Sequence, residues 1–151
     1  MNKPRAIGTY AETAVTRTAR LRGFPNADRI ALHGSRDTGD VGLCPGVIVE
    51  VKGGEHARRC SDLDVQNWLD QTQRERDHAN AAVAFLVVQR RSVGAPRASL
   101  WWAYWRLGWI SDLSYSQAFI GARHAVWRTT LGESLDMLRA AGYGDPLERL
   151  P

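Results

Sequence analysis

The sequence predicts a mixed α/β domain in which helices flank a central β-sheet. Its strongest strand signal is the β-branched run Val47–Lys52. A helical pattern over residues 9–22 precedes this run, and a second one over residues 61–80 follows it, before an apolar run at residues 81–89. Read along the chain, the order is αβββαββ followed by a helical C-terminal region, which is typical of a sheet covered by helices.

The first helix is predicted from its apolar face and from breakers behind it. Thr9 is a candidate N-cap with Glu12 at capping-box spacing, so residues 1–8 are expected to be a frayed leader. Gly23 and Pro25 end this helix. The next predicted elements are a strand at 27–33, a polar turn at 34–40, a strand at 41–43, a turn at Pro45-Gly46 and the strand Val47–Lys52. A helix at 61–80, capped by Ser61, follows, and then strands at 81–89 and 99–105 joined by a loop at 90–97. The last predicted elements are a helix around 116–124, a strand at 126–130 and a helix at 133–141 ended by Gly142.

Length and composition favour a single domain spanning residues 1–151. No apolar run approaches the roughly 20 residues that cross a bilayer, and the N-terminus lacks a signal peptide, so we expect a cytoplasmic protein without a membrane partner. Cys44 and Cys60 lack the paired spacing of a zinc site. The net charge is +4, and 18 of the 20 basic residues are arginines, which bind phosphate well; a GC-rich coding sequence would also favour arginine.

Three charged residues carry the chemical hypothesis. Glu50 and Lys52 alternate on one strand and therefore project from the same face. A hairpin through Pro45-Gly46 would bring Asp40 close to Glu50. Two carboxylates there would offer oxygen ligands to Mg²⁺ or Mn²⁺, and Lys52 would steady the charge that builds on a phosphate.

Simpler interpretations compete with this one. A solvated strand face with an ordinary salt bridge also produces Glu-x-Lys. Asp37 lies in the same turn as Asp40 and is an alternative motif acid. We prefer Asp40 because it directly precedes the apolar Val41 and stands at a more usual distance from Glu50.

The chain resembles the PD-(D/E)xK nuclease superfamily, and most of all the archaeal-type and phage Holliday junction resolvases. The resemblance lies in Glu12, in Gly39-Asp40 and in the strand that carries Glu50-Val51-Lys52. The resemblance implies a restriction-endonuclease-like core over about residues 5–105, with residues 106–151 as a C-terminal extension. It implies that Asp40, Glu50 and the Val51 carbonyl bind Mg²⁺ (or Mn²⁺), that Glu12 is a third acid near the metal, and that Lys52 is the catalytic lysine. Gly39 stands where the motif has proline.

The same resemblance implies a homodimeric, Mg²⁺-dependent endodeoxyribonuclease that cuts four-way DNA junctions, and the short chain would suit a phage-encoded protein. Ser35 resembles a serine near the scissile phosphate. The other candidate DNA contacts are His33, Arg36, Arg58 and Arg59. The alternatives are another nuclease of this fold (restriction-like, repair or end-processing) and a non-catalytic DNA-binding subunit.

Two further features have open interpretations. Gln71 and Gln73 lie on the second predicted helix, where some superfamily members use a glutamine to support the active site; a solvated helix face is the alternative. The aromatic cluster is predicted to place Trp101 and Trp105 on one face of a strand and Trp102 and Tyr104 on the other. It fits a core, a dimer interface or, least well, a platform for DNA bases.

Overall fold

One sheet of six strands organises the part of the chain that the computed structural model describes, residues 3–32, 35–114 and 120–148. The strands lie side by side in sequence order, and every neighbouring pair is antiparallel except the third and fourth. The strands are β1 (Asp28–Arg29), β2 (Val41–Cys44), β3 (Val47–Lys52), β4 (Val83–Val88), β5 (Trp102–Arg106) and β6 (Val126–Thr130). The predicted α/β class is confirmed.

Five α-helices accompany this sheet within the described residues. They are α1 (Lys3–Leu21), α2 (Gly54–Arg58), α3 (Asp62–Ala79), α4 (Leu107–Ser114) and α5 (Leu131–Ala140). Two short 3₁₀ helices span Ala95–Leu100 and Ile120–Ala122. None of the described helices has the combined length and apolarity that crossing a bilayer requires.

The centre of the sheet is the parallel pair of β3 and β4. The two strands align over six residues, from Val47 opposite Val83 to Lys52 opposite Val88, and every residue of β4 is buried. Parallel strands need a crossover connection, and here α3 supplies it. Ser61 caps α3 as predicted: its Oγ accepts from the Asp64 amide at 3.1 Å, and the Asp64 carboxylate accepts from the Ser61 amide at 2.9 Å.

Helix α1 packs on β2 and β3 at very close range. A Cβ atom added to Gly53 would lie 2.4 Å from the Cβ of Ala11, and one added to Gly54 would lie 2.6 Å from a methyl group of Ile7. Gly54 also has a φ of +89°, which favours glycine. These two glycines let the end of β3 approach the first half of α1.

Several predicted boundaries are wrong. Helix α1 begins at Lys3, so Thr9 lies inside it and is no N-cap; Pro4 is tolerated in a first turn and does not break it. The strand predicted at 27–33 shortens to two exposed residues, Asp28 and Arg29, at the sheet edge. Residues 95–100 form a 3₁₀ helix, so β5 begins at Trp102. Helices α2 and α4 were not predicted. The helix expected around 116–124 falls partly outside the described residues, and 120–122 form a 3₁₀ turn.

The tryptophans divide as strand alternation predicts. Trp101 and Trp105 are fully buried. Trp105 stacks on Phe85, with 4.7 Å between the ring centroids, and donates from Nε1 to Ser134 Oγ at 2.8 Å. Trp102 lies on the opposite face, where the guanidinium groups of Arg90 and Arg128 each stack 3.8 Å from its ring. Trp101 and Trp105 thus belong to the core.

The burial of α3 gives a stability test. Leu69 is completely buried and Leu63, on the same helix, is 68% exposed. We expect Leu69→Ala to lower the free energy of unfolding by about 2–5 kcal/mol because it leaves a cavity beneath the helix. Leu63→Ala should change it by less than about 0.5 kcal/mol. Urea unfolding of both variants checks this, and equal losses would contradict the packing of α3 described here.

Candidate active site

The β2–β3 hairpin brings Asp40 to Glu50, as the sequence predicted. Asp40 lies just before β2, and its amide donates to the Val49 carbonyl at 3.0 Å. Its carboxylate oxygen Oδ2 accepts a hydrogen bond from the Val51 amide at 2.8 Å. Gly46, with a φ of +82°, makes the tight turn between the strands. The side chain of Asp40 is therefore held against the backbone between Glu50 and Lys52.

Glu50 and Lys52 form a partly buried ion pair on the face of β3 that α3 covers. Lys52 Nζ lies 2.8 Å from Glu50 Oε1 and donates to Gln71 Oε1 at 3.0 Å. The same ammonium group lies 5.9 Å from the ring centroid of Trp68. Only 3% of the Glu50 side chain is exposed, against 23% of Lys52. Lys52 is thus fixed by three side chains at the end of the strand.

A second acid, Glu75, joins this cluster from α3. Gln71 donates from Nε2 to Glu50 Oε1 at 3.3 Å and to Glu75 Oε1 at 2.8 Å. Gln71 therefore faces the site, as one of its two interpretations held, whereas Gln73 bonds Asp77 and Trp109. The sequence analysis missed Glu75. Its signal was position: it falls on the buried face of α3 with Val65, Leu69 and Thr72, where an acid is unusual.

Burial and mutual repulsion shift the pKa values of these carboxyl groups upwards. Burial raises the pKa of Asp40 to about 8, with repulsion from Glu50 as the next cause. Burial also raises the pKa of Glu50 to about 8; its hydrogen bond with Glu75 adds to the rise and Lys52 opposes it. The pKa of Glu75 is raised by burial as well. Oε2 of Glu50 and Oε2 of Glu75 are both buried, with no hydrogen-bond partner among the described residues.

Glu12 stands at the edge of the cluster. Its carboxylate accepts from Arg29 Nε at 2.7 Å, and its charge contributes to the raised pKa of Asp40. A groove of about 650 Å³ beside it is lined by residues that include Glu12, Arg29 and Asp40. A neighbouring groove of about 420 Å³ reaches Lys52, and Gly8 of α1 borders both. Glu12 and Asp40 are therefore reached from the first groove, and Lys52 from the second.

The turn before β2 contains both candidate motif acids, Asp37 and Asp40, and places them in different surroundings. The Asp37 carboxylate accepts from the Gly39 amide at 3.0 Å and so closes its own turn. Asp37 is exposed, whereas Asp40 is partly buried against β3. The geometry therefore brings Asp40 into the Glu50–Lys52 cluster and leaves the Asp37 carboxylate bonded within the turn.

The predicted DNA contacts that the structure describes lie outside this cluster. Ser35 and Arg36 are exposed in the turn that leads to Asp40, and His33 lies outside the described residues. Arg58 and Arg59, on and just after α2, both pair with the exposed Glu55, at 2.9 and 3.1 Å. The structure places these residues on the surface without assigning them a ligand.

The side chains fit a hard divalent cation in chemistry, although not as a preformed cage. No group of three or more His, Cys, Asp or Glu side chains among the described residues already has ligating geometry. Carboxylate oxygens are nevertheless the ligands that Mg²⁺ and Mn²⁺ prefer. Two buried oxygens without partners among the described residues, and acids whose pKa values are raised by burial and by neighbouring acids, are the features that a bound cation would relieve.

Comparisons of this chain with protein-family models, with curated proteins and with solved structures found no match.

The raised pKa values predict how stability depends on pH without added metal. Asp40 and Glu50 titrate near pH 8 in the folded chain and near pH 4 when unfolded. Their contribution to stability is therefore full below about pH 4 and is lost as the pH rises through 8. We expect the Tm in EDTA to fall between pH 6 and pH 9, and to fall less in Glu50→Gln. Glu55→Gln, at an exposed acid, is the control, and its Tm should depend on pH as that of the wild type does. If the Tm of Glu50→Gln also falls as much as that of the wild type, Glu50 is not a group whose titration near pH 8 lowers stability.

Proposed function

We propose that this chain is a DNA endonuclease that depends on a divalent cation and uses Asp40, Glu50 and Lys52. The observation that carries the proposal is the convergence of these residues: Asp40 bonds the Val51 amide at 2.8 Å, and Lys52 Nζ lies 2.8 Å from Glu50 on the same strand. Burying two carboxylates beside each other costs free energy unless something compensates them. A catalytic cation would provide that compensation.

The fold supports the same proposal. Helix α1, the antiparallel strands β1 to β3, the crossover helix α3 and the parallel strand β4 follow in the order that the resemblance to restriction-endonuclease-like nucleases implies. The two acids that the resemblance implies as cation ligands, Asp40 and Glu50, lie just before β2 and on β3.

Each residue of the cluster has a role in this proposal. Asp40 and Glu50 would hold the cation. The Val51 carbonyl would join them, since N–H and C=O of one strand residue point to the same side and the Val51 amide bonds Asp40. A bound cation supplies Lewis-acid activation and neutralises charge on a phosphate. Lys52, oriented by Gln71, would stabilise the negative charge that develops on the phosphate. Glu12, on α1, would be a third acid near the cation.

The proposed substrate is DNA, and within DNA a four-way junction cut by a homodimer. The +4 charge and the 18 arginines suit phosphate binding, and Arg36, Arg58 and Arg59 are available at the surface. Phosphate contacts position a duplex but do not read its sequence. The sequence shows no helix-turn-helix or zinc finger to read bases, so an enzyme that selects DNA by its branched shape suits this chain better than a site-specific one.

Cleavage assays test this proposal. With Mg²⁺, we expect paired cuts on opposing strands of a synthetic four-way junction, and weak cutting of linear duplex, single-stranded and flap DNA. Asp40→Asn should reduce the rate by more than about 100-fold because it removes a proposed cation ligand. Asp37→Asn, three residues earlier in the same turn, is the matched control and should retain the rate within about threefold.

Other outcomes would revise the proposal in defined ways. Preferential cutting of linear or flap DNA would keep the active site and reject the resolvase activity. Loss of activity in Asp37→Asn rather than Asp40→Asn would reject the assignment of the motif acid. DNA binding without cleavage in either Mg²⁺ or Mn²⁺ would favour a non-catalytic DNA-binding subunit.

A further inference from the structure

Glu75 is a buried acid on α3. It is 2% exposed on the core-facing side of α3, beside residues that are apolar or, like Thr72, internally bonded. A buried carboxylate normally has both oxygens paired. Oε1 of Glu75 accepts from Gln71 and the carboxyl group lies within hydrogen-bond reach of Glu50, while Oε2 is buried without a partner in the described part of the chain.

The neighbouring Glu50 repeats this arrangement. Its Oε1 is held by Lys52 at 2.8 Å and by Gln71 at 3.3 Å, and its Oε2 is likewise buried and unpartnered. The two side chains are close enough to hydrogen-bond each other when one is protonated. Gln71 thus holds Oε1 of both acids and Lys52 also holds Oε1 of Glu50, while Oε2 of each acid is unused: it is buried and has no partner among the described residues.

We infer that Glu75 is a carboxylate ligand of a divalent cation that it shares with Glu50 through these two unused oxygens. The inference deepens the proposed function, on which it rests for the presence of a cation, and it adds to the site a residue of α3. Gln71 becomes a positioning residue, because its amide group holds the Oε1 atoms of both acids and so directs both Oε2 atoms. The ligand class is a hard cation such as Mg²⁺ or Mn²⁺ because all the available donors are oxygens.

The test measures cation binding directly and does not depend on cleavage. The full chain is stripped with EDTA, and Mn²⁺ binding is followed by titration calorimetry and by loss of the electron paramagnetic resonance signal of free Mn²⁺. Glu75→Gln keeps the size of the side chain and its acceptor for Gln71 but removes the charged ligand. Asp77→Asn makes the same change at an exposed acid two residues along α3 and is the matched control.

We expect Glu75→Gln to raise the Kd for Mn²⁺ at least tenfold, with Asp77→Asn within twofold of the wild type. Thermal melting of the metal-free chain should show Glu75→Gln folded and no less stable than the wild type. An unchanged Kd in folded Glu75→Gln would overturn the inference. If that variant does not fold, Glu75→Asp decides: a severalfold weaker affinity supports ligation, and an unchanged affinity rejects it.

Asp40→Asn separates this inference from the proposed function. Suppose that the wild type and Glu75→Gln both bind Mn²⁺ and that Asp40→Asn does not. The proposed cation site then stands, and the role of Glu75 is rejected. If the wild type binds no Mn²⁺ at all, both the proposed function and this inference fail.

Discussion

The parallel pairing of β3 with β4 is the constraint on which the rest of the structure depends. Both strands are apolar enough to be buried in the middle of a sheet, and their parallel direction requires the chain to cross over the sheet between them. That crossover is α3, which lies on the face from which Glu50 and Lys52 project. The pairing that builds the core therefore also places Gln71 and Glu75 above the charged residues of β3.

Charge inside this core is balanced only in part. Lys52 compensates Glu50, and the Val51 amide compensates Asp40, yet burial keeps the pKa of both acids near 8. A protein selected for stability alone would replace such a group with apolar residues at little cost. The proposed cation would compensate these acids, and perturbed pKa values of this kind cluster at functional sites.

The sequence predicted an element correctly where the signal for it lies within a few residues, and less well where distant residues decide. The bounds of β3 and β6 and the N-cap at Ser61 were predicted correctly because β-branched runs and caps act within a few residues. The start of α1 was misplaced because the local cap signal at Thr9 does not include the close contacts of Ile7 and Ala11 with Gly54 and Gly53. Helix α2 was missed because it lasts only five residues, and its close approach to α1 depends on Gly53 and Gly54.

The candidate site divides in the same way. The sequence by itself determined that Glu50 and Lys52 share a strand face and that a tight turn returns Asp40 to them, since strand alternation and turn chemistry are fixed by adjacent residues. Only the tertiary structure decided between Asp40 and Asp37 as the acid beside Glu50, placed Gln71 on Lys52, and brought in Glu75. The first outcome depends on how the turn before β2 packs against β3. The other two depend on how α3 lies on the sheet, which is set by packing between residues far apart in the chain and is encoded by no local pattern.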